Sequence, residues 1–471
     1  MGVWLAAAGA SHGVPWGRLP AAVRGRADLL QRLTGQLQDG GLAVLAGMGG
    51  VGKSTVAAAV ARRARAPRPL RRPLARHVWW ISGATATGLA AGMAAVAGHL
   101  GARPADLEAI DGQSAGAPDR LWALLDGASR GWLLVIEDAG DPELLAGWVR
   151  SSARGLVVVT SRHEEQAAWG PRAAVHRLSP LSDGEAGRVL RDLAPAAGGQ
   201  AEAEALGRQL GGLPLALQLA GRSIAAGYAR WTTFDAYREA LDRVPVPTPL
   251  LDVDGDVALD RGRRAVVVRT AELSLDALAE HGLPEARAVL RLLSCYAPGL
   301  PIPVELPRRA ALSPLPHHEP GAGRGSEDVL RALSRLGLVE DVRDEAAVLV
   351  HPVVADVNRA RLASPTIPPD PDPDFVRDTA AVPLLRMLRA LDEANPSHWP
   401  GYRQLAPHLL ALLQTSGRHL SVDRLASLLE AARAVAGAYD RAGAAAAATA
   451  VTSTVSGLSE RARRPDQRTT R

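Results

Sequence analysis

The chain has 471 residues, 54 of them basic and 49 acidic, which gives a net charge of +5. This length predicts two to four domains, and so small an excess of positive charge does not by itself indicate nucleic-acid binding. One cysteine excludes an internal disulfide, and since no long uninterrupted apolar run predicts a membrane span, we expect a cytoplasmic protein in which Cys295 is a buried core residue.

The first informative stretch is "GMGGVGKSTV" (47–56), which fits the phosphate-loop pattern G-x-x-x-x-G-K-[ST]. An apolar run, "LAVLAG", precedes it and predicts a buried strand, and the "STVAAAVARRA" that follows predicts a helix. In such a loop backbone N–H groups and the helix N-terminus face an anion. The residues predicted to bind nucleotide here are Gly47, Gly49, Gly50, Val51, Gly52, Lys53, Ser54 and Thr55.

Lys53 is the only lysine in the chain, so that 53 of the 54 basic residues are arginine. A lysine placed at random would rarely meet two glycines and a hydroxyl at the required spacing, which argues against a chance match. A compact ammonium also fits a crowded loop where a planar guanidinium would not. We expect Lys53 to reach the β- and γ-phosphates of ATP or ADP and Ser54 to ligate Mg²⁺.

Strand-like and helix-like segments alternate through the first half of the chain, which predicts a five-stranded parallel sheet, an α/β P-loop NTPase core, over residues 21–182. The predicted strand "WLLVIED" ends in Glu137 and Asp138, candidates to hold the metal and orient the attacking water. Neighbouring strand residues face opposite sides, so only one can aim straight at the metal. Arg162 follows another predicted strand, "GLVVVTSR", and could sense the γ-phosphate.

In the second half of the chain, segments rich in proline and acidic residues separate helix-like stretches, which predicts further domains joined by linkers. A helix followed by a hairpin predicts a winged helix over 266–363, and a last helical hairpin is expected near the C-terminus. The expected divisions are an N-terminal segment (1–20), the P-loop domain (21–182), a helical domain (183–245), a linker (246–265), the winged helix (266–363), a linker (364–378) and a helical, tetratricopeptide-like region (379–471).

Seven motifs in order resemble the NB-ARC branch of the STAND signalling NTPases. They are "VRGRADLL" (23–30), "GMGGVGKST", "VWWIS", "LLVIEDA", "VVVTSR", "LGGLPLALQLAG" (210–221) and "VLVHPVV" (348–354). Bacterial members of the family often carry tetratricopeptide repeats behind the core. The resemblance implies that Arg26 lines the nucleotide near adenine, Pro214 contacts the base, and His351 touches the β-phosphate of ADP.

The family pattern is not matched everywhere. Glu137 stands where the family usually has aspartate, and His351 is followed by Pro352 instead of aspartate. These departures bear on the hydrolysis rate and on the stability of the closed state more than on binding.

The resemblance implies an ADP-bound closed form that opens on exchange for ATP and self-associates, with at most slow hydrolysis as a reset. The C-terminal helical region would bind an unidentified protein partner. Two alternatives stay open: a transcriptional regulator that binds DNA through the winged helix, and an ordinary P-loop ATPase. The predicted recognition helix "SEDVLRALSRLG" balances its arginines with acids, so nucleic acid is not expected as a partner.

Overall fold

The structure is a computed structural model. It describes residues 14–66, 75, 77–128, 131–228, 231–244, 258–308, 326–342, 346–363 and 371–463. Contacts divide these residues into two compact units, each described by itself below. The first runs up to Leu181 and includes Gly443–Ala446, and the second runs from Ser182 to Ala442 and resumes at Ala447.

The first unit is built on a sheet of five parallel strands in the order β2-β3-β4-β1-β5. The strands are β1 (Gly41–Ala46), β2 (His77–Ser82), β3 (Trp132–Ala139), β4 (Gly155–Ser161) and β5 (Ala173–Arg177). Its helices are α1 (Ala27–Asp39), α2 (Lys53–Arg65), α3 (Ala86–His99), α4 (Pro104–Asp111) and α5 (Ala117–Gly127). This arrangement of strands and helices is a P-loop NTPase core, as the sequence predicts.

Successive strand residues face opposite sides of the sheet and so enter two different cores. Leu133 and Val135 pack with α1 and α2 in one core, together with Trp80. Leu134 and Trp79 pack with α3, α4 and α5 in the other. Because both faces are covered, the strands are almost continuously apolar, as buried parallel strands require.

The second unit begins with four helices, α6 (Asp183–Leu193), α7 (Gln200–Gln209), α8 (Pro214–Ala225) and α9 (Phe234–Arg243). The stretch "EAEALGRQLGGLPLALQLAGRSIAAG" has a helical pattern throughout, but in the structure the helix ends at Gln209. Gly211 and Gly212 there have φ angles of +64° and +63°, which favour glycine and end a right-handed helix. Pro214 then occupies the first position of α8, where its missing N–H costs nothing.

The middle of the second unit combines helices with a small sheet. The helices are α10 (Ala258–Glu280), α11 (Ala286–Leu293), α12 (Glu305–Arg308), α13 (Ser326–Arg335) and α14 (Pro352–Ala363). The antiparallel strands β6 (Ile302–Pro303), β7 (Glu340–Val342) and β8 (Ala347–Leu349) lie in the order β6-β8-β7. Strand β6 was not expected from the sequence, and the winged-helix assignment stays a prediction.

The described C-terminal part is helical, with α15 (Pro373–Arg389), α16 (Trp399–Ser416), α17 (Val422–Arg441) and α18 (Ala445–Arg463). The helices α17 and α18 follow one another across a short turn at which Gly443 has a φ of +77°. Both helices lie where the sequence predicts a helical hairpin, and their packing as a hairpin stays a prediction. No helix among the described residues combines the length and hydrophobicity that a membrane span needs.

Both predicted linkers extend too far toward the C-terminus. Helix α10 begins at Ala258, inside the stretch 246–265, and α15 begins at Pro373, inside 364–378. Asp372 caps α15 by accepting from the Asp374 N–H at 3.1 Å, and the proline that follows it is tolerated at the first helical position. Residues 246–257 and 364–370, like 1–13 of the N-terminal segment, lie outside the described residues.

A buried ion cluster joins three helices of the second unit. Glu272 on α10 accepts hydrogen bonds from Arg287 and, at 2.8 Å, from Arg291, both on α11. Arg361 of α14 lies 3.4 Å from the same carboxylate, and Arg291 also donates to Asn358. Burial disfavours the charge on Glu272, but the three guanidinium groups outweigh it and hold its pKa at about 2.

Buried hydrogen bonds also attach the C-terminal helices to the middle of the second unit. The hydroxyl of Tyr296 donates to the Ala380 carbonyl at 2.8 Å. The ring of His408 accepts from the Ala297 N–H through Nδ1 at 3.2 Å and lies 3.0 Å from the Pro301 carbonyl through Nε2. Burial lowers the pKa of His408 to about 4, so the ring is neutral and Nε2 is the donor. Cys295 is 1% exposed, which confirms that it is a core thiol.

Candidate functional site

The loop between β1 and α2 follows the geometry that a phosphate-binding loop needs. Gly47, Gly50 and Gly52 have φ angles of +146°, +80° and +96°. A Cβ on Gly47 would stand 2.9 Å from the Leu178 carbonyl oxygen, so only glycine fits there. Gly52 immediately precedes α2 and has no side chain to cap it, so the N–H groups of the first turn face out of the helix.

The remaining loop residues differ in burial: one is fully buried in the core, and the others are half-buried. Val51 is fully buried and packs in the core under α2. Met48, Gly49 and Gly50 are half-buried, as are Ser54 and Thr55 in the first turn of α2. The hydroxyl of Ser54 therefore lies at the helix N-terminus, next to Lys53 and within the reach of an ion bound at the loop.

Lys53 is held inside the loop. Its Nζ donates hydrogen bonds to the carbonyl oxygens of Gly47 at 2.6 Å and Met48 at 2.8 Å. The pKa of Lys53 is lowered from 10.5 to about 8, chiefly by burial and next by the positive charge of Arg162. The negative charges of Asp138, Glu137 and Glu164 oppose this shift. The charges of four side chains thus act on Lys53, among them those of the two predicted acids and of Arg162.

Glu137 is oriented by Trp80, a residue that sequence analysis did not single out. The indole N–H of Trp80 on β2 donates to Glu137 Oε2 at 2.8 Å. Residues two positions apart on a strand face the same side of the sheet. Val135 lies in the core under α2, so the carboxylate of Glu137 is on the α2 side as well. Glu137 is thus the acid that a regular strand presents toward the P-loop helix.

Asp138 does not follow the expected strand alternation. Its φ is +58°, and the β3 and β4 register shifts between Ile136 and Ala139. The Asp138 N–H donates to Thr160 Oγ1 at 2.9 Å, and the Ser161 hydroxyl donates to the Ala139 carbonyl at 2.7 Å. A left-handed backbone at a non-glycine residue is costly, and here the end of β4 holds it in place. Regular strand alternation therefore no longer assigns the Asp138 side chain to the face opposite that of Glu137.

Arg162 lies one residue beyond the end of β4, where it is exposed. The next residue, His163, is fixed by its ring Nε2, which lies 2.7 Å from the Gly140 carbonyl. The loop after β4 is thus tied to the loop after β3, at the carboxyl ends of both strands. Ligands of open α/β sheets bind at this edge.

Arg26 clamps the P-loop to the segment after β5. Its Nη2 donates to the Ser179 carbonyl at 2.5 Å and lies 3.5 Å from the Val51 carbonyl. Burial lowers the pKa of its guanidinium. Arg26 is therefore a positioning residue for the loop, whether or not it also lines a ligand.

Pro214 and His351, the two predicted contacts outside the sheet, both belong to the second unit. Pro214 is half-buried at the start of α8. His351 precedes α14, and its Nδ1 accepts from the Val353 N–H at 3.2 Å, so it caps the helix. This cap leaves Nε2 as the protonated nitrogen when the ring is neutral. Pro352 then takes the first helical position, where proline is well tolerated.

The residues of the first unit could together hold a polyphosphate and a hard divalent cation. The loop N–H groups and Lys53 are donors suited to phosphate oxygens, and Ser54, Glu137 and Asp138 carry oxygen atoms of the kind that Mg²⁺ prefers. Trp80 and Thr160 orient the two acids. The sequence holds a weak signal for Trp80, its place in a strand next to the acid-bearing one, but none that pairs it with Glu137.

Fold and loop geometry define the first unit as a P-loop NTPase core. Comparison with protein families is more specific, since residues 26–196 match the family model of the NB-ARC domain. This match over residues 26–196 confirms the NB-ARC resemblance carried by the order of the motifs. No curated protein matches the chain.

Solved structures with a related chain fold include three thermophile proteins. A STAND protein with a tetratricopeptide repeat sensor from Pyrococcus horikoshii is 14% identical, with a TM-score of 0.42 over 95% of this chain and 66% of its own. A Walker-type ATPase of Pyrococcus abyssi is 15% identical (TM-score 0.32; 72% of this chain, 96% of that one). The RuvB Holliday junction branch migration motor of Thermotoga maritima is 16% identical (TM-score 0.29; 72% and 96%).

None of these likenesses is close enough to transfer a function. The chain spans just under two thirds of the length of the Pyrococcus horikoshii protein.

Proposed function

We propose that the protein is an ATP- and ADP-binding switch of the NB-ARC type. The observation that supports this most strongly is the place of Lys53: the only lysine of the chain lies in the phosphate loop, under the influence of Glu137, Asp138 and Arg162. Selection for an ammonium at one position, in a chain that otherwise uses arginine, fits a residue whose task is to bind phosphate.

In this proposal the loop from Gly47 to Thr55 holds the phosphates through its N–H groups, and Lys53 donates to the outer ones. Ser54 and Glu137 hold Mg²⁺, which neutralises phosphate charge when bound. Trp80 fixes the Glu137 carboxylate by its 2.8 Å hydrogen bond, so the metal ligand is preorganised. Arg26 keeps the loop in place through the Val51 and Ser179 carbonyls.

Hydrolysis, where it occurs, is slow and resets the switch. Asp138 orients the attacking water from a backbone that Thr160 holds by a 2.9 Å bond. Arg162 senses the γ-phosphate from the loop after β4. Glutamate at the first of the two acidic positions has a longer side chain than aspartate, and the Trp80 bond restricts it.

The switch itself rests on the second unit. The NB-ARC resemblance assigns Pro214 to the base and His351 to the β-phosphate of ADP, and the protonated Nε2 of His351 is the donor such a contact requires. When both residues close over ADP the chain is in its closed form, and exchange for ATP opens it to self-associate. We assign the helical domain to α6–α9, the winged helix to the stretch from α10 to α14, and the partner-binding helical region to α15–α18.

The experiment is to identify the nucleotide released by denaturing freshly purified protein, with wild type and His351→Ala compared. We expect ADP in the wild type and less in the variant, because a lost phosphate contact shifts the population toward the open form by about 1–3 kcal/mol. Val353→Ala is the control, since it keeps the His351 ring and the backbone N–H that it caps. Mass determined after adding ATP reports self-association.

Three results would contradict the proposal in different ways. If Lys53→Ala leaves the nucleotide affinity unchanged, the P-loop is not the nucleotide site. Arg65→Ala, at the other end of α2, is the control. Protein free of nucleotide, with fast turnover and no change of mass on ATP, indicates an ordinary ATPase. Salt-dependent DNA binding in the nanomolar range indicates the transcriptional regulator.

A further inference from the structure

A cleft of about 450 Å³ lies on the C-terminal helices, away from every residue discussed above. Residues of α15 and of α17 line it: Val382, Leu385, Arg386, Arg389, Ala390 and Arg424. Its volume is within the usual range of small-molecule sites, about 300–1,000 Å³. Three of its six lining residues are arginines, so the cleft combines a small apolar surface with a concentration of positive charge.

The two arginines on α15 do not by themselves require a ligand. Arg386 and Arg389 lie in the last turn of that helix, where the helix dipole favours a cation. Both are exposed, and neither forms an ion pair with a carboxylate of the described residues. By contrast Arg441, on the neighbouring helix α17, pairs with Glu393 at 3.1 Å.

Arg424 is the residue that the fold does not explain. It lies in the first turn of α17, where the helix dipole disfavours a cation. Its Nε is buried, yet within the described part of the chain no atom accepts a hydrogen bond from it. A buried N–H without an acceptor costs about 1–3 kcal/mol, and because Nε itself is closed to solvent, a ligand in the cleft would bind the outer N–H groups of the same guanidinium.

We propose that this cleft binds a small organic phosphate that carries at least two negative charges. Guanidinium groups bind phosphate oxygens in a planar, bidentate manner, and three of them around one cleft suit a doubly charged group. Val382, Leu385 and Ala390 contact the apolar part of the ligand. This site is independent of the P-loop, since its residues belong to the second unit and the loop to the first.

The test is calorimetric titration of the full chain with 1-naphthyl phosphate, in the presence of saturating ADP and Mg²⁺ so that the P-loop does not compete. Inorganic phosphate is the second probe, and we expect it to bind more weakly because it lacks an apolar part. Arg424→Ala, and separately Arg386→Ala with Arg389→Ala, should weaken 1-naphthyl phosphate roughly tenfold or more. Arg424→Lys should recover only part of the affinity, because an ammonium lacks the planar fork.

Arg433→Ala is the matched control. It removes the same charge from an exposed position on the same helix, outside the cleft, and should leave binding unchanged. Equal weakening in this control would reduce the effect to general electrostatics and overturn the proposal. So would absence of binding in a wild type whose melting temperature matches that of the variants. Arg424-dependent binding of a short DNA duplex or an acidic peptide, without binding of the small phosphates, would assign the cleft to a macromolecule instead.

Discussion

Trp80 lies opposite Val135 on the neighbouring parallel strand, and its indole N–H donates at 2.8 Å to the carboxylate of Glu137, two residues further along that strand. Trp80→Phe removes this donor and keeps most of the buried ring. We expect the Mg²⁺ concentration needed for half-maximal ATP hydrolysis to rise a few-fold, since a lost hydrogen bond to a charged group is worth about 1.5–3 kcal/mol and part of it is recovered by water.

Trp79→Phe is the control for this variant, because Trp79 is equally buried but packs on the opposite face of the sheet. Nucleotide binding without Mg²⁺ should be the same in both variants and in wild type. A Trp80→Phe protein with wild-type magnesium dependence would remove the positioning role from Trp80.

Lys53 can be observed alone by NMR, since lysine labelled at Cε or Nζ gives one side-chain resonance in this chain. We expect it to titrate with a pKa of about 8 in nucleotide-free protein. Because Arg162 lowers this pKa, Arg162→Ala should raise it, and because Asp138 raises it, Asp138→Asn should lower it further.

The exposed Arg172, which does not act on Lys53, provides the control variant Arg172→Ala. The two opposite shifts test the assembly of the site without any nucleotide. A pKa near 10.5 that neither variant moves would show that these side chains are not gathered around the lysine.

Alanine substitutions at Gly47 and Gly41 distinguish two effects, the backbone strain of a positive φ angle and the steric clash of an added Cβ. Both have positive φ angles, +146° and +128°, but a Cβ on Gly47 would meet the Leu178 carbonyl oxygen at 2.9 Å, whereas one on Gly41 would meet nothing within 4 Å. Alanine at either position should destabilise the protein by about 1–3 kcal/mol through the backbone. Gly47→Ala should cost more in thermal unfolding and should also lose nucleotide binding. If Gly47→Ala and Gly41→Ala melt at the same temperature, the P-loop can accommodate the added Cβ at little cost.

Glu272 makes the free energy of unfolding depend on pH. Its folded pKa of about 2 lies below the unfolded value of 4.5, so its stabilising contribution is complete above the unfolded pKa and is lost as pH falls through the folded one. Glu272→Gln leaves Arg287, Arg291 and Arg361 without this carboxylate and should destabilise the fold by about 3–5 kcal/mol at neutral pH. Urea unfolding at pH 7 and pH 3 measures both effects.

Asp276→Asn is the comparison for this prediction, because Asp276 also pairs with Arg287 but is 47% exposed in its side chain. We expect it to cost far less than the Glu272 variant. If both variants lose a similar free energy of unfolding, burial is not what makes the ion pairs of this cluster stabilising.

The parts of the fold that could be predicted are those with a local signal. Each strand of the five-stranded sheet is a short apolar run between polar turns, and the P-loop is a fixed pattern in the required context. The start of α15 had such a signal as well, since Asp372 followed by Pro373 is a favourable helix start. Proline also interrupts helices, so two signals conflict at this position and the predicted linker extends too far.

The remaining features depend on contacts between distant residues. Trp80 and Glu137 are 57 positions apart, and their hydrogen bond exists only because β2 and β3 are neighbours in register. The left-handed backbone of Asp138 depends likewise on Thr160, which is 22 positions away. The arginines of α11 lie among apolar residues, and only the fold reveals that they surround Glu272 on another helix. Neither periodicity nor composition carries such information.

The buried bonds from Tyr296 and His408 have a mechanical consequence. They fasten α15 and α16 to the segment after α11 through backbone carbonyls and an N–H that are closed to water, so sliding between these parts would leave several polar groups unsatisfied at once. We therefore expect α15 and α16 to move together with the segment after α11, and not as a loosely tethered module. Any rotation of that segment would then displace the far ends of α15 and α16 more than their attached ends.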